Sequence, residues 1–123
     1  LSDPIVIVEA QGLLPRLNRK FNATSIGGKA RLFMAKDYRE RFDSLVLQFR
    51  VAAYGPPIDH FVDAKITVAM SKRTDTDAPI KAVLDALEKS GVIVNDRHIR
   101  SIDIRRLYRA DESVKVELYH ITE

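Results

Sequence analysis

An α+β fold, a small mixed β-sheet with two main helices packed on one face, is predicted by three patterns. Apolar and polar residues alternate over 61–70, apolar residues recur at helical spacing in two separate stretches, and the elements run strand, helix, strand, helix, strands. A chain of 123 residues fits one domain, 1–123. Its hydrophobic fraction of 46% supplies a core, and its charged fraction of 30% supplies a solvated surface. A domain this small has room for few catalytic groups, so a second subunit completing or doubling the site is expected.

Residues 5–8 (Ile-Val-Ile-Val) form a β-branched run and read as a short strand. The stretch from Gly12 to Lys29, with Pro15, Asn18, Asn22 and Gly27-Gly28, reads as irregular; loops of such length are usually functional or disordered. Over 29–49 the pattern is helical, with Tyr38, Phe42, Leu45, Val46 and Phe49 on one stripe. Gly55-Pro56-Pro57 breaks the chain before a half-buried strand over 61–70, where Val62, Ala64, Ile66, Val68 and Met70 share a face.

The second helix runs from Asp77, a suitable N-cap, through Pro79 in its first turn, to a stop at Gly91. Ile80, Val83, Leu84 and Leu87 mark its buried side. Val92-Ile93-Val94 is a short extended run, and residues 99–108 and 114–121 read as a terminal hairpin.

The net charge of +3 says little, but its distribution says more. Residues 1–36 hold Arg16, Arg19, Lys20, Lys29, Arg31 and Lys36 against Asp3 and Glu9; residues 97–109 hold Arg97, Arg100, Arg105, Arg106 and Arg109 against Asp103. Two basic stretches on a small domain suit a polyanion, although solvated arginines on strands and loops give the same pattern. The chain has no cysteine, so disulfides and thiolate zinc sites are excluded and a cytoplasmic location is expected. His60, His98 and His120 are far apart in sequence and lack ligand spacing. No apolar run approaches the roughly 18 residues that cross a bilayer, so no membrane role is expected.

The chemistry concentrates in Lys72-Arg73-Thr74-Asp75-Thr76-Asp77, Lys81 and Asn95-Asp96. In extended geometry Asp75 and Asp77 point to one side, and two carboxylates suit a hard cation such as Mg²⁺. The helix from Asp77 to Ser90 rises about 20 Å at 1.5 Å per residue, and the extended run after it can return most of that. Asp96 can thus rejoin Asp75 and Asp77, or complete a neighbour's site. Lys81 lies one turn beyond Asp77 and off the apolar stripe, where a cation stabilises charge developing on a phosphate. The same residues allow plainer roles: Asp77 as a cap, Asn95-Asp96 as a turn, and Lys81 as the surface partner of Asp77 or Asp85.

The ordered set Asp75-x-Asp77, Lys81, Asp85-Ala86-Leu87, Lys89-x-Gly91 and Asp96 resembles the RusA family of Holliday junction resolvases. Pro15-Arg16-Leu17-Asn18 is similar to that family's Pro-x-x-Asn segment. The chain departs from the pattern at Ala78, where the family usually has Asn, and at Asn95-Asp96, where an acidic pair is common; these bear on rate and junction preference. The resemblance implies that Asp75, Asp77 and Asp96 bind Mg²⁺, with Mn²⁺ able to substitute, and that Lys81 neutralises the phosphate. It implies no small-molecule cofactor, a four-way DNA junction as substrate, and a homodimer matching the junction's two-fold symmetry. Arg16, Asn18, Arg19, Lys20, Lys72, Arg73, Arg97 and Arg100 are the candidate phosphate contacts. Three other readings stand beside this one: a flap or fork nuclease, a non-catalytic junction-binding relative, and a plain interaction domain.

Overall fold

The computed structural model describes residues 3–16, 21–26, 29–34, 36–53, 55–71 and 75–121, with the side chains of 21–34 outside that description. Its elements are β1 (Val6–Gln11), β2 (Phe21–Ile26), β3 (Lys29–Met34), α1 (Lys36–Ala52), β4 (Val62–Met70), α2 (Ile80–Lys89), a 3-10 helix (Asp96–His98), β5 (Ile99–Tyr108) and β6 (Ser113–His120). A four-stranded sheet has the order β1-β6-β4-β5, and β2 with β3 forms a separate two-stranded sheet. The architecture is α+β, as the patterning predicts.

β4 takes an inner position because it is the most apolar strand. Val62, Ala64, Ile66, Val68, Ala69 and Met70 are all buried. It pairs parallel with β5 and antiparallel with β6. The parallel pair needs a crossover, which α2 supplies. Val62, Ala64, Ile66, Val68 and Met70 join Val114, Val116 and Leu118 of β6 and Val8 and Ala10 of β1 in one core cluster. Leu45, Val46 and Phe49 of α1 and Ile80, Val83, Ala86 and Leu87 of α2 complete it. The opposite sheet face, with Glu9, Asp63, Lys65, Lys115 and Glu117, is partly or fully exposed. Gln48 of α1 fastens the end of β1, accepting from the Gln11 N–H at 2.8 Å and donating to its carbonyl at 2.9 Å.

Three expectations are corrected. The strands 99–108 and 114–121 exist but do not form a hairpin: β4 lies between them, and residues 109–112 pass over its end. Charged β5, whose pattern is mostly exposed, is left at the edge. The stretch read as irregular over 12–29 contains β2 and the start of β3, paired from Phe21↔Met34 to Ile26↔Lys29 with only Gly27-Gly28 between them in sequence. The first helix therefore starts at Lys36 instead of 29, and its stripe of Tyr38, Leu45, Val46 and Phe49 is buried as expected.

Candidate active site

The turn ahead of α2 carries the first two candidate carboxylates. Ala78 N–H donates to the Asp75 carbonyl at 3.1 Å, and Ile80 N–H donates to the Asp77 carbonyl at 3.1 Å. The backbone is coiled here, so the extended-strand argument for a shared side does not apply; β4 has already ended at Met70. Nor does Asp77 cap α2 with its side chain. The N-cap is Pro79, whose ring supplies no hydrogen-bonding group, and no side-chain cap bond is present. Asp75 and Asp77 are exposed, and neither carboxylate has a side-chain partner among the described residues.

α2 then brings Lys81 outward. Its ammonium lies 3.0 Å from the Asp85 carboxylate, one turn along, and 3.7 Å from that of Asp96. The hydrogen bond and charge of Asp85 raise the lysine above its ordinary value, with Asp96 adding to the effect. Lys81 thus stays an ammonium at neutral and moderately alkaline pH. Of the two surface partners open from the spacing, the structure selects Asp85.

Asp96 is returned to α2 by a defined path. Gly91, at φ +84°, ends the helix in a conformation that other residues adopt only with strain. The chain is then pinned by Ile58, whose N–H donates to the Val92 carbonyl at 3.0 Å while its own carbonyl accepts from Val94 N–H at 2.9 Å. Asp96 N–H donates to Glu88 Oε1 at 3.1 Å, and Asn95 accepts from Arg97 N–H at 2.9 Å to open the 3-10 turn. Helix out and chain back thus place Asp96 beside Lys81 within one subunit.

Arg106 of β5 supports the carboxylate turn from below. It donates to Thr76 Oγ1 at 3.1 Å and to the Ser71 carbonyl, while its guanidinium lies 4.9 Å from the Tyr108 ring centroid. Tyr38 of α1 packs on Ala82 of α2, and burial followed by the Asp85 charge raises its phenol. Sequence spacing missed Thr76, Arg106 and Tyr38 because their roles depend on β5 and α1 meeting α2 in space.

The expected phosphate contacts fare unevenly. Asn18, Arg19, Lys20, Lys72 and Arg73 lie outside the described residues. Arg16 forms an ion pair with buried Glu112 and donates to the Leu14 carbonyl at 3.0 Å. Arg100 grips Asp63 with two bonds of 3.0 and 2.8 Å. Arg97 is exposed, as are Arg105 and Arg109 of the same basic stretch. His60 and His120, distant in sequence, stack with centroids 5.4 Å apart because they lie at adjacent ends of β4 and β6.

Asp75, Asp77 and Asp96 offer hard oxygen donors, and those of Asp75 and Asp77 have no side-chain partner among the described residues, which fits Mg²⁺ in donor chemistry. Among the described residues no three carboxylates or imidazoles surround a common point. No helix among the described residues is long and apolar enough to cross a membrane.

No curated protein matches the chain. A family model, endodeoxyribonuclease RusA, matches residues 28–119, beginning after the Pro15–Asn18 segment and taking in Asp75, Asp77, Lys81 and Asp96. With well over half of its length covered by that match, the chain belongs to the RusA endodeoxyribonuclease family.

Proposed function

We propose that the chain, acting as one domain over 1–123 and as a homodimer, is a metal-dependent endonuclease of the cytoplasm. It resolves four-way DNA junctions by paired, symmetric phosphodiester hydrolysis. The observation that carries this reading is Asp96 drawn beside Lys81 on the helix that follows the Asp75–Asp77 turn, all within the family match.

Asp75, Asp77 and Asp96 would hold Mg²⁺ or Mn²⁺. When bound, such an ion polarises the phosphate and makes water a better nucleophile. The protein's own groups supply the rest. Lys81, kept charged by Asp85, neutralises the scissile phosphate, and Asp85 orients it by holding the ammonium at 3.0 Å. Arg106 fixes the carboxylate turn through Thr76. Exposed Arg97, together with Asn18, Arg19, Lys20, Lys72 and Arg73, contacts phosphates along the arms. Arg16, tied to Glu112, contributes by holding its loop, and Arg100, tied to Asp63, by joining β5 to β4.

Cleavage of a synthetic four-way junction, against linear duplex and flap DNA, with Mg²⁺ and with chelator, tests the reading. Paired symmetric nicks confined to the junction and dependent on the cation are expected. Equal cutting of flaps would replace it with a general branched-DNA nuclease. Tight binding without nicks in Mg²⁺ or Mn²⁺ would indicate a non-catalytic relative.

A further inference from the structure

The two edges of the main sheet are finished differently. At β1 the final residue, Gln11, has both its N–H and its carbonyl bound by Gln48. At β5 the sheet simply stops: ten residues, outermost in the order, with no hydrogen bond from another described element to the outer backbone. An exposed edge of that length invites pairing with another strand. The side chains along it are also out of keeping with an edge left in water. Ile102 and Ile104 pair with Ala64 and Ile66, so they lie on the helix-bearing face, yet they are 40% and 38% exposed. The helices cover β4 beside them and leave β5 bare.

The sequence of β5 is complementary to itself in one antiparallel register. With Ile104 opposite Ile104 of a second copy, Asp103 meets Arg105 twice and Ile102 meets the stem of Arg106 twice. Moving the centre to Asp103 sets two aspartates face to face; moving it to Arg105 sets two arginines face to face. Like charges directly opposite destabilise a pair. The register centred on Ile104 also keeps even-numbered residues on the same face in both copies, so all helices stay on one side.

We propose that β5 pairs antiparallel with β5 of a second copy, with Ile104 on the two-fold axis, making one continuous sheet of eight strands. The proposal rests on the homodimeric reading above and specifies its surface. The four isoleucines then pack together across the seam, on the face that carries the helices. Arg106, which braces Thr76 in the carboxylate turn, lies in the joined strands, so the interface and the two candidate sites are mechanically connected.

The chain has no cysteine, so single cysteines report the geometry. Ile104→Cys under mild oxidation is expected to give nearly complete dimer cross-linking, and Leu47→Cys, on the exposed side of α1, none. In sedimentation, Arg105→Asp is expected to weaken dimerisation at least tenfold, and Asp103→Arg added to it to restore the dimer. That rescue is not expected of a mere folding defect. A wild-type dimer that neither cross-links through residue 104 nor responds to Arg105→Asp would overturn the β5 surface and leave the homodimer standing. A wild-type monomer at all concentrations, with junction absent or present, would overturn both.

Discussion

Replacing Asp77 by Asn removes a charge from the turn before α2 while keeping its size. On the proposed chemistry, Asp75→Asn or Asp77→Asn should abolish cleavage and leave junction affinity equal or higher, since a negative charge near phosphate is lost. Gel-shift and single-turnover cleavage on the same preparation check this; joint loss of both would mean misfolding. Lys81→Ala should slow cleavage about 100-fold with little change in affinity, and an unchanged single-turnover rate would remove Lys81 from the mechanism. Asp63 supplies a pH-dependent test away from the site. Bonds from Arg100 and then Ser101 hold its carboxyl below the ordinary 3.8. A depressed folded-state value stabilises fully above the unfolded value and is lost as pH falls through the folded one. The difference in melting temperature between wild type and Asp63→Asn should therefore be steady from neutral pH to about 4–5 and vanish below the folded value.

At the scale of elements, periodicity was informative wherever one face of an element is buried. The stripe of α1 and the alternation of β4 follow directly from their apolar spacing, and Gly91 ends α2 as its position suggested. Pairing partners were harder to read. Nothing local in 99–121 indicates that β4, about thirty residues earlier, inserts between the two strands, because strand order is decided by which strand buries most apolar surface. β2 and β3 escaped notice for another reason: Asn22, Thr24 and Ser25 look loop-like, while Gly27-Gly28 between two extended runs was the missed signal. In the site, helix and strand lengths allowed Asp96 to return toward Asp75 and Asp77, and the partner it meets is Lys81; Arg106 and Tyr38 depend on contacts that spacing cannot express. Glu112 is the clearest element-level test. It is 7% exposed, accepts from Leu14 N–H at 2.9 Å and pairs with Arg16. Glu112→Ala should cost about 3 kcal/mol, measured by urea unfolding, because the arginine charge and the Leu14 N–H lose their partner together.

At the scale of the molecule, the proposed attraction for DNA depends less on the net charge of +3 than on its placement, with Arg97, Arg105 and Arg109 exposed. Junction affinity should fall steeply with salt, with a slope near −0.9 for each phosphate neutralised. Removing Arg97 should reduce that slope by about one, whereas a salt-independent affinity would point to a plain interaction domain.

The placement of β6 between β1 and β4 also governs how the molecule is made. β1 pairs with β6, far later in sequence, in register from Val6↔Leu118 to Gln11↔Ser113. On the ribosome it waits for more than a hundred residues before its partner emerges, and loops this long are slow to close. The β1–β6 pairing therefore closes only after β6 has emerged. Nascent chains arrested before residue 113 should remain open to protease, and the protection should arrive abruptly once β6 clears the exit tunnel.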